Sequence, residues 1–480
     1  MTDILLIHPT EGGLDTGKQG HGGMPPLGML WIVAFLEQNG LSVHVIDCQI
    51  DNTNIEEFLI RENPHMVGIG GTSHTRFDVF NLAKTVKRVN SDIPVVYGGP
   101  HATFTAHDTL SNVAEINYVV RGEGEITTLE LCNLFVRGRG NIENILGISY
   151  RDKNGSIIDN PERPRIDNLD SLPFPDRSKV DVKRYEMSMD HLGLPGASVM
   201  TSRGCPVNCS FCSASAMFGR SLTLRSASNV LDEIEILLEM GYKGIKFFDS
   251  TLTLKKSHVL SICDEFKRRG LNNIPWECEV RVNTVTKEIL AAIREAGCYL
   301  IDFGVESAST KVLKDMHKGI TIEQVERTLD WSKEVGLKTK VFFTFGHIRE
   351  TLEDAYKTFD FIKRHKQKID QTGGGVGIKI YPGTTVEKFA IANDLLPKDF
   401  SWSLPYRDPE TDFFWGHTHI PMLIQPGMGY AELRQLRYKL ILPKLLNPIS
   451  LISSLRKVIK FRNWAKIWQT LRGIYKTKFR

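Results

Sequence analysis

ASVMTSRGCPVNCSFC, residues 197–212, is a short run of small and apolar residues that ends in Arg-Gly and passes at once into three cysteines. Its first half reads as a buried β-strand closed by a glycine. Its second half, Cys205-x3-Cys209-x2-Cys212, gathers three thiols within eight residues. A tight loop of this kind brings three thiolates to three irons of a four-iron cubane and leaves the fourth iron open to a small ligand. Clusters that only carry electrons are normally closed by four cysteines, so three point to chemistry at the metal. The competing readings are a structural zinc site or chance. Zinc usually takes four ligands, and no nearby His or Cys supplies the fourth at a typical spacing. The aromatic Phe211, just before the last cysteine, also suits a cluster-binding loop.

Working outward, residues 196–385 keep a regular beat. Strands are expected at ASVMTSRG, GIKFFDS, WECEVRV, YLIDFGVES, KTKVFFTFG and GVGIKIYPG, separated by helical patterns such as SNVLDEIEILLEMG and TIEQVERTLDWSKEVG. Six such units fit a partial parallel (β/α)6 barrel of the TIM type, with chemistry at the strand C-termini. Upstream, DILLIHP, SVHVIDC, MVGIGGT, PVVYGGP and NYVVRGE alternate with helix-like stretches. That pattern predicts an open, Rossmann-like (flavodoxin-like) α/β domain. Pro25 and Pro26 suit a helix start and Gly40 its end. The expected divisions are therefore 1–140, a connector at 141–195 with a hairpin turning at Asn154-Gly155, the barrel at 196–390, and a helical C-terminal region at 391–480. From about residue 430 the chain reads as helical, broken by Pro443 and Pro448.

The chain of 480 residues has ordinary apolar and charged fractions, and nothing in it suggests disorder or a disulfide scaffold. The opening MTDILLIHPT reads as a first strand rather than a signal peptide, and no run of about 18 apolar residues suggests a membrane span. A cytoplasmic protein is expected. Cys48, Cys132, Cys263, Cys278 and Cys298 stand at unrelated spacings and read as small buried hydrophobes. The charge is uneven: residues 433–480 hold 13 Lys or Arg and no Asp or Glu, and since the whole chain is +4, residues 1–432 sum to −9. At helical periodicity Trp464, Ile467, Trp468, Leu471 and Tyr475 share one stripe. Such a cationic helix suits peripheral contact with the inner membrane face or packing on the barrel with a solvated basic side. Nucleic acid is not expected, because the body is acidic and no recognition motif accompanies the tail.

The cysteine loop in its barrel setting resembles the radical S-adenosylmethionine (SAM) superfamily. The resemblance implies that Cys205, Cys209 and Cys212 ligate a [4Fe–4S] cluster whose open iron chelates SAM. It also implies a 5′-deoxyadenosyl radical formed by one-electron cleavage of SAM, with an external flavodoxin- or ferredoxin-type reductant. By the same resemblance FFDSTLT places Asp249 near the methionine end of SAM, and Arg281 and Glu306 lie in or near the SAM pocket. The alternative for each of these three is a polar residue filling the barrel mouth. Two departures stand out: Asn283 replaces a frequent acidic residue, and GHIRET (Gly346 to Thr351) replaces a Gly-x-Pro-Gly-Glu-Thr pattern.

In the first domain a dinucleotide site is disfavoured, because no G-x-G-x-x-G follows the first strand. PPLGML, Asp47-Cys48, GGTSHTR, YGGPHAT and RGEGE are instead similar to the cobalamin-binding domains of the B12-dependent radical SAM group. Glycine pairs at strand ends let backbone approach a bulky ligand. The resemblance implies contacts from Gly98, Gly99, Pro100 and His101 to the nucleotide tail, Thr72, Ser73, His74 and Arg76 near the corrin, and Gly122 and Glu123 in the same site. His74 and His101 read equally as loop histidines bonded to backbone. No D-x-H-x-x-G loop is present, which implies cobalt without a His ligand from that motif.

Taken together, these motifs imply a cobalamin-dependent radical SAM enzyme that methylates an unactivated carbon through methylcobalamin and the 5′-deoxyadenosyl radical. A non-methylating relative, such as an oxidative cyclase acting on a lipid, terpenoid or tetrapyrrole, is the first alternative. A cluster-bearing binding or sensor protein without turnover is the second. The partner is a small or lipid-like substrate. Trp402, Tyr406, Trp415, His417 and His419 line a substrate pocket or belong to the core.

Overall fold

A computed structural model describes residues 2–10, 24–185, 188–189, 192–415 and 419–445. The basic stripe at 464–475 and His417 lie outside the described residues, as does the side chain of Trp415.

Apolar alternation builds the first sheet. In β1 (Ile4–His8), Ile4 and Leu6 face one core and Leu5 and Ile7 the other. β2 (Val43–Asp47), β3 (Met66–Gly70), β4 (Val95–Gly98) and β5 (Tyr118–Val120) join it in parallel, in the order β2-β1-β3-β4-β5. This is the flavodoxin-like arrangement, with its ligand crevice at the strand C-termini. Helices α1 (Leu27–Gln38) and α5 (Glu125–Phe135) supply Leu30, Val33, Leu131 and Cys132 to one core. The other core takes Phe58, Val79 and Ala102 from α2 (Ile55–Glu62), α3 (Arg76–Val89) and α4 (Pro100–Asn112). The hairpin in the connector, β6 (Ile148–Arg151) and β7 (Ile157–Asp159), is not a free linker. It pairs antiparallel with β5 and extends the first sheet.

The second sheet runs β16-β15-β14-β13-β12-β9-β8 and stays open. Its parallel strands are β9 (Leu194–Val199), β12 (Gly244–Phe247), β13 (Trp276–Glu279), β14 (Cys298–Glu306), β15 (Lys338–Phe345) and β16 (Gln371–Val376), and β8 (Ser188–Met189) pairs antiparallel with β9. Helices α7 (Ala227–Glu239), α8 (Lys256–Arg268), α9 (Lys287–Glu295), α11 (Ile322–Glu334) and α12 (Leu352–Arg364) bury the apolar side of this half-barrel. Between β9 and α7 a short ribbon, β10 (Ser202–Arg203) with β11 (Thr223–Leu224), ties the two ends of the cysteine loop, which includes α6 (Ala214–Met217). The remaining helices are α10 (Thr310–Asp315), α13 (Thr385–Ala392), α14 (Pro409–Trp415) and α15 (Tyr430–Leu445).

Three expectations are corrected. The sixth barrel strand is Gln371–Val376, not 375–383. Ile378 and Ile380, whose apolarity suggested a strand, join Ile348, Val386 and Leu423 in a separate small core, and Lys379 bridges to Met422. Glycine permits the true strand to lie flush, since a Cβ at Gly374 would stand 1.8 Å from the Phe343 carbonyl oxygen. The first barrel strand stops at Val199, and Ser202–Arg203 turn into the ribbon. Finally, α15 runs through Pro443 to Leu445 rather than breaking there.

Candidate active site between the two sheets

The cysteine loop leaves the ribbon at Gly204, whose φ of +99° and closeness to Ser221 oxygen (2.0 Å from a would-be Cβ) admit no side chain. Within it the Cys212 N–H donates to the Cys209 carbonyl at 3.1 Å, and the Ser210 N–H donates to Met316 oxygen at 2.9 Å. Cys209 is buried and Cys212 exposed. Cys212 is open to solvent yet ringed by protein; burial raises its thiol above the ordinary value, and Cys209 and Cys205 raise it further. Among the described residues no three His, Cys, Asp or Glu side chains converge as on a single ion. A cubane takes one thiolate at each of three irons, and three thiols in one loop are a donor set that fits it.

Cations surround the loop. The Arg281 guanidinium lies 3.9 Å from Cys209 Sγ and donates to the Lys318 carbonyl. Arg281 falls just past the end of β13 rather than within it. Lys318 Nζ stands 5.5 Å from the Phe211 ring and 3.0 Å from Glu306 Oε1. Glu306 ends β14 at a bulge with φ of +67°, a strained conformation of the sort that gathers at active sites. A Cβ at Gly304 would overlap the Glu306–Lys318 pair, so glycine makes room for it. Thr344 Oγ1 donates to Glu306 at 2.9 Å and bonds His347 Nε2 at 2.6 Å, and the His347 ring packs 5.4 Å from Phe211. Burial holds His347 down at about 4, so it is neutral. Lys318, Thr344 and His347 carry no local motif, since Lys318 follows α10, Thr344 lies within β15 and His347 follows it; the departed GHIRET loop was the only signal.

Asp249 is 2% exposed and does not face the open lumen. It accepts from the Thr201 N–H at 3.1 Å, the Thr201 hydroxyl at 2.9 Å and the Ser202 hydroxyl, which anchors the chain entering the cysteine loop. Burial raises its carboxyl above the usual range, against those hydrogen bonds.

At the first sheet the expected residues divide into two groups. Gly98 and Gly122, ending β4 and following β5, form an open ledge: a Cβ at Gly98 would meet nothing nearer than 3.8 Å, and one at Gly122 nothing within 4 Å. Thr72 is half-buried, while His74 and Pro100 are exposed beside the ledge. This cradle fits a bulky group held against backbone, as cobalamin requires. Gly99, with φ of +104°, packs against the Gly71 carbonyl instead. The second group is sealed. Arg76 is wholly buried and donates to the carbonyls of Ser73, Trp402 and His419, so it pins the C-terminal segment rather than offering a free cation. His101 is 1% exposed, bonded to Ser73 Oγ at 2.9 Å and edge-on to Trp402. Glu123 pairs with Arg203 at 2.6 Å and accepts from the Ile166 N–H at 2.8 Å. Trp402 is thus core; His419 and Tyr406 are bonded to one another through the Tyr406 carbonyl.

The two strand-end clusters face each other. His74 Nε2, in the loop after β3, bonds Tyr381 Oη at 2.9 Å, in the loop after β16, with Lys379 Nζ at 3.4 Å. Crowding by the loops around it, with the positive charges of Lys379 and Arg76 nearby, lowers His74 to about 4, and the same enclosure lowers Lys379 to about 8. Just downstream the Val386 N–H of α13 donates to the Ser210 carbonyl at 3.0 Å, so the segment from Lys379 to Val386 touches both the loop after β3 and the cysteine loop.

Comparison with known proteins agrees with this layout. The Radical SAM superfamily model matches residues 199–362, and the B12 binding domain model matches residues 19–132. An uncharacterized methyltransferase of Pyrococcus horikoshii is 37% identical over 402 residues, covering 82% of this chain and 84% of that protein. The anaerobic magnesium-protoporphyrin IX monomethyl ester cyclase of Rubrivivax gelatinosus is 29% identical over 370 residues, 74% of this chain and 65% of the cyclase. The solved structure of the cobalamin-dependent S-adenosylmethionine radical enzyme OxsB, with aqua-cobalamin and S-adenosylmethionine bound, shares the fold at a TM-score of 0.74 and 16% identity, over 97% of this chain and 71% of that one. The cofactors of the two matched domains are a [4Fe–4S] cluster with SAM, and cobalamin. By both domain matches and by a relationship that spans most of two chains, this protein belongs to the family of radical SAM enzymes with a cobalamin (B12)-binding domain.

Proposed function

We propose that this enzyme methylates an unactivated carbon of a small-molecule substrate. The observation that carries this reading is that one segment bonds both sites, with Tyr381 Oη 2.9 Å from His74 beside the glycine ledge and the Val386 N–H donating to Ser210 of the cysteine loop at 3.0 Å. The cluster with SAM supplies a hydrogen-abstracting radical there, and cobalamin supplies the methyl group. The chain's own part is orientation and exclusion of water. Gly98 and Gly122 let a flat macrocycle approach backbone, Arg281 and Lys318 offset the negative charge of ligated thiolates, and the Glu306–Lys318–Phe211 contacts hold the loop against the barrel rim. A methyltransferase relative at 37% identity supports methylation over cyclisation.

The test is an anaerobic assay of the reconstituted protein with cobalamin, SAM, a chemical reductant and a small-molecule extract as the substrate source. Methylation yields 5′-deoxyadenosine and S-adenosylhomocysteine together, and a product heavier by a CH2 unit. Deoxyadenosine without S-adenosylhomocysteine turns the assignment to the cyclase-type alternative. Neither product would leave a cluster-bearing binding protein.

An external one-electron donor of the flavodoxin or ferredoxin type completes the proposal. Peripheral membrane contact through the basic tail belongs to it as well. Among the described residues no helix is long and apolar enough to cross a membrane. Liposome flotation of the full chain against a chain ended after Leu445 tests the tail, and equal behaviour rejects the contact.

A further inference from the structure

Deeper in the half-barrel lies a set of charges to which the proposed function gives no role. Trp276, Cys278 and Val280 enter the core shared with the outer helices, so Glu277 and Glu279 point to the concave face. Lys246 of β12 reaches Glu277 at 2.9 Å and Asp302 of β14 at 4.0 Å, Lys340 of β15 lies 3.9 Å from Asp302, and Tyr299 Oη donates to Glu277 at 3.0 Å. Two lysines thus meet two carboxylates. One layer up, Lys318 is matched by Glu306 at 3.0 Å. Glu279 is left over: its side chain is exposed to the lumen, and among the described residues no hydrogen bond or ion pair engages it.

The groups facing Glu279 are Asp302 and Glu306 from β14, Lys246 from β12 and Lys318 from the loop after α10. Enclosure by the lumen walls is the largest influence, the two acids add to it and the two lysines oppose it, so the carboxyl is pushed up to about 7. Near neutral pH it is half ionised and regains its charge when a cation arrives. Lys246, Lys340 and Lys318 are engaged by Glu277, Asp302 and Glu306, and the Arg281 guanidinium is turned to Cys209, so the unpaired Glu279 carboxylate is a counter-ion site that an ammonium satisfies and an anion does not. Phe248 and Phe342, with ring centroids 5.4 and 5.5 Å from the ammonium groups of Lys246 and Lys340, add aromatic surface to the same lumen.

We propose that Glu279 anchors the ammonium group of an amine-bearing substrate, which makes the substrate class a protonated amine rather than a lipid hydrocarbon or an anionic metabolite. The proposal rests on the barrel being a radical-generating active site. The cluster- and cobalamin-loaded full chain is first checked for a reduced-cluster EPR signal and for 5′-deoxyadenosine from SAM; absence of both rejects the enzyme reading itself, before the amine is added. Phenethylamine and 3-phenylpropionate are then titrated in the presence of SAM, followed by the EPR line shape and equilibrium dialysis. The expected result is binding of phenethylamine about tenfold tighter than 3-phenylpropionate at about pH 8, weakening toward about pH 6 as Glu279 protonates. Glu279→Gln abolishes the preference with SAM affinity unchanged, and Glu279→Asp, which keeps the charge, retains it. Equal binding, no binding of the amine, or a preference that survives in Glu279→Gln overturns the proposal. So does a loss of SAM affinity in Glu279→Gln with amine binding intact, which would make Glu279 a SAM contact.

Discussion

Asp249 holds three donors at the entrance to the cysteine loop, two of them from Thr201. Its replacement by Ala leaves the Thr201 N–H and the Ser202 hydroxyl buried without that acceptor, while the Thr201 hydroxyl keeps His258 Nε2 at 2.9 Å, at about 1–3 kcal/mol for each group not rescued by water. Asp249→Ala is expected to lower the thermal midpoint and the iron retained per chain, and Asp249→Asn, which keeps an acceptor oxygen, to recover part of both. Glu350 behaves differently. It accepts from the Gly346 N–H at 2.6 Å and the His347 N–H at 2.9 Å, yet burial outweighs these bonds and pushes its carboxyl up to about 7. The folded state therefore binds this proton more tightly than the unfolded chain does. The stability it contributes is full below the unfolded value near 4.3 and is lost as pH rises through about 7. Relative to wild type, Glu350→Gln should gain stability between about pH 4.5 and pH 8, by at most ~4 kcal/mol, in urea denaturation. A flat difference across that window would show that Glu350 ionises normally.

At the scale of elements, the ribbon β10–β11 is what turns a strand end into a cluster loop. Gly204 combines φ of +99° with a backbone oxygen 2.0 Å from a would-be Cβ, whereas Gly241 has φ of +96° and open space around it. The pair separates clash from conformational strain. Gly241→Ala should cost about 1 kcal/mol of stability and leave cluster content alone. Gly204→Ala should open the ribbon and reduce the iron bound per chain in anaerobic reconstitution; equal iron in both variants would mean the ribbon does not shape the loop. The strands themselves were legible from apolar alternation and glycine punctuation. The sixth was misplaced because Gln371–Val376 is poor in β-formers, and the Ile378/Ile380 alternation next to it serves a different core.

Across the whole molecule, the two sheets are joined by buried polar contacts. Arg203, 6% exposed at its side chain, pairs with Glu123 and Glu125 of the first domain at 2.6 Å each, and its guanidinium lies over Trp31. Arg203→Met strands two buried carboxylates and should destabilise the protein by about 3–5 kcal/mol in chemical denaturation. Neutralising the carboxylates as well, in Arg203→Met/Glu123→Gln/Glu125→Gln, should recover most of that loss. If the triple variant is as unstable as the single one, the contribution is packing against Trp31 and not charge.

By itself the sequence determined what depends on near neighbours along the chain. Three cysteines at 205, 209 and 212 need only one loop to converge, and alternation with period two marks the strands of both sheets wherever one face is apolar. The order of the domains follows from those local patterns, and the cofactor classes from the family resemblance that the cysteine loop and the glycine-rich strand ends carry. Tertiary structure alone decided which of the polar residues are available. Glu123 meets Arg203 across 80 positions, Arg76 meets Trp402 across 326, and Glu306 meets Lys318 around a strained turn. No periodicity encodes such pairings, because a buried charge is tolerated only where another element brings its partner, and that is a property of the packed chain.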